Sequence, residues 1–263
     1  MKPGALVSCE LLKLRRSPAT WISFLAYGFI GLVAALLVWF AGHPGLAQSL
    51  GLVGQKASFA SSGVTSDWAG LLALMAELSG LGGMIIYSFI VTYVFGREYA
   101  EGTAKNALAL PTPRAGIVFA KLAVSGLWFL ALSAFLVAEA ALAGSLLGLP
   151  GFAAALFWRE AANILVTACL VLALGPAVAW VAMAGGGYLA PLGFTVFTVV
   201  LGTIFGATDW ARFIPWSIVA LFSGAAGPRA GELGMASYAI LAGFFLLCAL
   251  ASALWLERAD NTQ

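Results

Sequence analysis

FGREYAEGTAKNALALPTPRAGIVFAK, residues 95–121, joins two long apolar runs near 71–96 and 118–147 and concentrates Arg97, Glu98, Glu101, Lys105, Arg114 and Lys121 between them. A helix needs about 20 apolar residues to cross the hydrocarbon core. Long apolar runs joined by short charged connectors therefore predict a polytopic helical membrane protein. The rest of the chain repeats this layout, with spans near 21–41, 71–96, 118–147, 161–184, 188–207 and 236–256. A transmembrane barrel would show short alternating segments instead. The expected fold class is all-α, a single transmembrane domain over 1–263 with six spans.

Composition points the same way. Of 263 residues, 62% are hydrophobic and 9% charged, and the mean hydropathy is +1.00. That is more apolar surface than a soluble fold hides. The net charge of +2 is too small to indicate nucleic acid. Cys9, Cys169 and Cys248 show neither metal-ligand spacing nor a paired outer location, so no disulfide and no metal site are expected.

The first apolar run, Trp21 to Ala41, is too long for a signal-peptide core, and Trp39-Phe40 crowds the place of a small-residue cleavage site. It reads as a retained span with its basic flank inside. Lys2, Lys13, Arg15, Arg16, Arg97, Lys105, Arg114, Lys121 and Arg258 then face the cytoplasm, against Lys56, Arg159, Arg212 and Arg229 outside. This bias predicts both termini in the cytoplasm of a cell-membrane protein. Within 209–235, Phe213 to Phe222 is apolar but too short to cross, contains Pro215, and reads as a re-entrant or interfacial segment on the outer face. Residues 1–16 mix Leu6, Val7, Leu11, Leu12 and Leu14 with Glu10, Lys13, Arg15 and Arg16. They read either as an amphipathic helix on the inner leaflet, its basic groups at anionic headgroups, or as a plain topogenic tail. The outer loop 42–70 carries no recognisable chemistry, and no internal repeat is evident.

Within the charged stretch, Glu98 and Glu101 stand three residues apart, on one face of a short helix, where they would meet basic groups of another protein. Gly102 and Thr103 suit a helix boundary, and Pro111 and Pro113 interrupt any helix before the next span. The spacing R-E-x-x-x-G-T-x-K-x-x-L-x-x-P-x-x-R, carried by Arg97, Glu98, Gly102, Thr103, Lys105, Leu108, Pro111 and Arg114 and followed by Lys121, resembles the loop between the second and third spans of permease subunits of type-2 ATP-binding-cassette (ABC-2) exporters. The form it resembles is the short six-span one, similar to bacitracin and lantibiotic-immunity and multidrug export permeases. ELLKLRRSPATW, residues 10–21, with Glu10, Lys13, Arg15, Arg16 and Trp21, is similar to that family's interfacial helix, placed over residues 1–20. Pro113 departs from the family's usual serine.

The resemblance implies a coupling helix in the loop, using Arg97, Glu98, Glu101, Gly102, Thr103, Lys105 and Arg114, that docks on a separate ABC ATPase subunit. It implies a second permease subunit, a copy or a different chain, and the lipid bilayer as surroundings. This chain would bind no cofactor, with ATP and Mg on the partner ATPase, since no G-x-x-x-x-G-K-[ST] occurs here. The cargo expected is a hydrophobic peptide, antibiotic or lipid-like compound. An intramembrane hydrolase is disfavoured: His43 is the single histidine and no G-x-S-x-G occurs, so no catalytic residue is assigned. An ATP-independent channel or secondary carrier is the alternative function.

Two carboxylates fall inside spans. Glu77 lies near the outer end of the second span, and Glu139 lies about 26 Å along the third, counted from Leu122 at 1.5 Å per residue. Each reads either as a polar lining of a substrate path or as a carboxyl satisfied between helices or at headgroups. Gly80, Gly82, Gly83, Gly185, Gly186 and Gly187 read as packing positions, and Gly175-Pro176 is expected to kink the fourth span.

Overall fold

The computed structural model describes residues 3–43, 45, 64–103, 113–227 and 229–258, and among these it contains helices and turns but no strand. The helices are α1 (Pro3–Arg15), α2 (Pro18–Gly42), α3 (Trp68–Ala100), α4 (Arg114–Leu146), α5 (Ala154–Leu172), α6 (Gly175–Ala184), α7 (Leu189–Gly206), α8 (Pro215–Ser223) and α9 (Met235–Arg258). Among the described residues, six helical units are long and apolar enough to cross a membrane, with α5 and α6 together making the fourth.

Each crossing follows from its residues. Pro18 opens α2 at a position where its missing N–H costs nothing. Down that helix Ser23, Tyr27, Gly31, Ala34 and Val38 form a buried stripe, while Trp21, Leu25, Phe29, Leu32 and Leu36 stay exposed as a lipid-facing side. α3 starts where the Asp67 side chain accepts a hydrogen bond from Gly70 N–H at 2.7 Å. It ends at Gly102, whose φ of +66° suits glycine. α3 is the central element and packs against α2, α4, α5, α6, α7 and α8. Aromatic pairs pin its neighbours: Phe24 meets Trp128 and Phe135 edge-on, each at 5.2 Å, and Phe129 lies between Tyr27 and Tyr87.

α3 and α4 each run 33 residues, about 50 Å at 1.5 Å per residue. Both therefore reach beyond a hydrocarbon core of about 30 Å. At one end of the bundle Trp68 packs onto Gly144 and its N–H donates to the Pro150 carbonyl at 3.1 Å, joining the start of α3 to the end of α4. The opposite end gathers α1, the end of α3, the start of α4 and the end of α9.

The fourth span is interrupted beside the expected kink: α5 stops at Leu172 and α6 begins at Gly175, while Ala173 and Leu174 between them keep helical backbone and donate to the carbonyls of Leu170 and Val171 at 3.2 and 3.0 Å. Pro176 offers no N–H to the turn before it. Ser252 of α9 donates to the Pro176 carbonyl at 3.1 Å, and Tyr87 lies against Gly175, filling the place of a side chain. α8 begins at Pro215 and closes on Gly224, with φ of +88°. It lies between the end of α7 and the start of α9, and Ile218, Val219, Ala220 and Leu221 are buried. Ser217 donates to the Gly202 carbonyl at 2.9 Å, seating α8 on α7.

Gly80 lies against Ser223 of α8, Gly82 against Ile30, and Gly83 against Phe129, so these three sit at helix contacts. Gly186, at φ +62°, lies in the turn between α6 and α7.

Candidate functional site

The charged stretch is anchored from both sides. α3 carries Arg97 and Glu98 in its last turn, and α4 begins at Arg114 and brings Lys121 to the same level two turns on. Lys121 Nζ lies 3.0 Å from Glu98 Oε1 and 3.5 Å from Glu10 Oε2, and donates to the Val94 carbonyl at 2.9 Å. Lys13 Nζ lies 2.6 Å from Glu10 Oε1 and 3.2 Å from Glu98 Oε1. Two carboxylates and two ammonium groups thus form one closed cluster linking α1, α3 and α4. Lys121 is buried and Glu98 nearly so, with side chains 5% and 14% exposed. A cavity of about 20 Å³ beside the cluster has room for a single water.

Groups this buried are tolerated because every charge has an opposite neighbour and the remaining Lys121 donor has a carbonyl. Burial lowers the affinity of the Lys13 ammonium for its proton, but the hydrogen bonds and charges of Glu10 and Glu98 outweigh that and hold its pKa above the ordinary lysine value.

The acidic pair singled out in the sequence is split by this packing. Glu98 turns inward to two lysines of its own chain. Glu101, at the end of α3, is exposed and meets Arg97 at 3.6 Å. Arg97 also approaches the Tyr93 hydroxyl at 3.5 Å. Gly102 and Thr103 close the helix, with Thr103 N–H donating to the Glu98 carbonyl at 2.8 Å. Lys105, Leu108 and Pro111 lie outside the described residues, as do the middle of the expected coupling helix and most of the outer loop. Arg114 reaches across to α9, donating to the carbonyls of Leu256 at 3.0 Å and Glu257 at 3.3 Å. Those carbonyls belong to the last turn of a helix, which favours a cation.

The N-terminal segment forms α1 but presents different groups from those its composition predicts. Leu14 is buried against the core, whereas Leu11 and Leu12 are exposed. Glu10 and Lys13 turn toward the protein, and Arg15 and Arg16 face out. The pairing of α1 with α3 and α4 over long sequence distances had no signal in the sequence beyond the charges themselves. Trp21 closes the first turn of α2 and is 71% exposed.

The two carboxylates within the spans are not brought together. Glu77 lies against Gly224 at the end of α8. Glu139 is wedged against Gly28 and Gly31 of α2, where only residues without side chains leave space for its carboxyl group. Its Oε2 is buried with no hydrogen-bond partner among the described residues. His43, at the end of α2, stacks on Trp39 at 4.7 Å, and its Nδ1 lies 2.9 Å from the Trp39 carbonyl.

Residues 6–202 match the family described as ABC-2 family transporter protein. A bacitracin transport permease protein of Bacillus licheniformis is 26% identical over 137 residues, which are 52% of this chain and 66% of that protein. The chain thus matches just under two thirds of that relative's length. With six apolar crossings and a family match over most of its length, the chain is a multi-pass membrane protein that belongs to the ABC-2 family of transporter proteins.

Proposed function

We propose that the chain is the permease subunit of an ATP-driven exporter, coupled through residues 97–114 to a separate ATPase chain that holds ATP and Mg. A second permease subunit, identical or different, would complete the substrate path. The observation that carries this reading is the closed ion-pair cluster of Glu10, Lys13, Glu98 and Lys121. It ties the helix entering the charged stretch, the helix leaving it and α1 into one unit, so a push on the stretch would move three helices together. Among the described residues of the stretch, Glu101 is an exposed charged group available to a partner, with Arg97 beside it, and Glu98 serves to hold the platform.

Both termini are proposed to be cytoplasmic, supported by the gathering of basic residues at the end that holds Arg97 and Lys121. α8, which begins and ends between α7 and α9, would be a re-entrant segment on the outer side. The proposed cargo is a hydrophobic peptide, antibiotic or lipid-like compound, in keeping with a relative named for bacitracin transport, and Glu139 and Glu77 are candidate lining groups for its path.

The test is mild-detergent purification of the tagged chain with mass spectrometry of its companions, repeated on Glu101→Lys. A stoichiometric ABC ATPase that weakens in the variant supports the proposal. A chain that purifies alone yet moves solutes in liposomes would make it an ATP-independent channel or carrier.

A further inference from the structure

A second feature lies on the outer side of the same helix ends. A cleft of about 400 Å³ opens between the turn joining α1 to α2 and the last turns of α3, and its lining includes Leu12, Lys13, Arg16, Ser17, Tyr93 and Arg97. No carboxylate belongs to the lining. Ser17, which precedes α2, is 5% exposed, yet its Oγ has no hydrogen-bond partner among the described residues. A buried hydroxyl left unpaired is costly, and Ser17 is one of the residues that line the cleft.

The charges around it are unequal. Lys13 faces Glu10 and Glu98, and Arg97 faces Glu101. With Lys121 consumed by the same acids, Arg16 is left without an acidic partner among the described residues. The cleft also adjoins the N-terminus of the 25-residue α2, where the helix dipole favours an anion, although Pro18 has no N–H and the Ser17 and Thr20 N–H groups already donate to the Leu14 and Ser17 carbonyls. Three cations, a hydroxyl and a helix N-terminus around one space describe a receptor for a phosphate ester.

We infer that this cleft binds the phosphate headgroup of an anionic phospholipid. The lipid source follows from what lies beside it. Pro18 is the first residue of a membrane-spanning helix, and the exposed Trp21 and Leu25 continue from the cleft along the lipid-facing side, 71% and 74% exposed. A headgroup held by Arg16, Ser17 and Arg97 would leave its chains against those two residues. It would also bridge α1 to α3 at the start of the charged stretch, making the stiffness of that platform depend on lipid composition. This site does not depend on which side of the membrane is cytoplasmic, nor on any ATPase.

The experiment is native mass spectrometry of the purified full chain, titrated with phosphatidylglycerol or phosphatidylcholine of the same acyl chains, with thermal melting of each sample. Phosphatidylglycerol is expected to be retained about tenfold better, as a few charge-assisted contacts provide. Arg16→Gln and Ser17→Ala should each remove most of that preference. Arg15→Gln, which deletes a neighbouring charge outside the cleft, should retain it. Ser17→Ala should also raise the melting temperature of the delipidated chain while reducing its stabilisation by phosphatidylglycerol, a pair of shifts that misfolding does not produce. Equal retention of the two lipids, or equal losses from Arg15→Gln and Arg16→Gln, would overturn the site. Displacement of phosphatidylglycerol by equimolar inorganic phosphate would overturn the lipid assignment in favour of a free anion.

Discussion

Lys121 Nζ lies 3.0 Å from Glu98 Oε1, so the helix that leads into the charged stretch and the helix that leads out of it are joined by a buried ion pair. Removing Lys121 leaves Glu98 and Glu10 to share Lys13 alone, one positive charge short in a place with little water; stranding a buried charge outright costs about 3–5 kcal/mol, which bounds this loss from above. Lys121→Met should therefore lower the melting temperature in detergent strongly. Glu98→Gln/Lys121→Met should recover part of the loss, as a double-mutant cycle on thermal melts would show.

Glu101 gives the opposite expectation. Its pair with Arg97 is a half-exposed i,i+4 contact, worth about 0.3–0.5 kcal/mol. Glu101→Lys should leave the melting temperature nearly unchanged while reducing the amount of ATPase recovered with the chain. Reversal at Glu98 would confound the two effects, because it breaks the internal cluster as well.

Arg114 caps the end of α9 from a distance. Charged hydrogen bonds of this kind contribute about 1.5–3 kcal/mol. Arg114→Ala should raise amide hydrogen exchange over residues 254–258 without a comparable change in α2, and Arg114→Lys should restore only part of the protection, since a compact, strongly hydrated ammonium replaces the planar Nη1 that serves both carbonyls.

Asp67 makes the start of α3 pH-sensitive. The Thr65 hydroxyl donates to its carboxylate at 2.6 Å and the Gly70 N–H at 2.7 Å, and both hold its pKa below the ordinary aspartate value. A group with a depressed folded pKa contributes fully above its unfolded value, about 3.9, and loses that contribution as pH falls through the folded one. Asp67→Ala should cost about 0.5–2 kcal/mol at pH 7, and the difference from the parent chain should shrink as the pH is lowered below 4, measured by thermal melts.

Glu139 and Gly31 should be coupled. A Cβ at Gly31 would overlap the Glu139 carboxyl group. Gly31→Ala should destabilise the chain, and Glu139→Ala should suppress that loss, because the wedge is then gone. Glu139→Gln keeps the shape; unchanged transport across a pH series by that variant would confine Glu139 to packing.

Much of the fold was legible because hydrocarbon length is a strict ruler. Each apolar run read from the sequence falls on a helix, or a pair of helices, long and apolar enough to cross, from Trp21–Ala41 within α2 to 236–256 within α9. The ends were read short at α3 because its last turn, through Arg97 and Glu98, is polar, while the helix itself continues past the apolar signal. Pro176 marked the fourth span for distortion, and only the packing of Tyr87 and Ser252 shows it divided into two helices. The charged stretch was visible as a motif, yet its acidic pair looked alike in sequence. The two stand only about 60° apart around the helix axis; what separates Glu98 from Glu101 is that α3 ends between them, at Ala100, and that Lys13 and Lys121, from distant helices, reach Glu98 where no local pattern could place them. Ser17 carried no signal, since an unpaired hydroxyl exists only once its surroundings are fixed.

The gap at Ala173-Leu174 divides mechanical responsibility within one crossing. α5 packs on α3, α4 and α8, whereas α6 packs on α3, α7 and α9. The fourth crossing is therefore built in two pieces with separate company: of these neighbours only α3 packs on both halves, and Ser252 ties α9 to the second half alone.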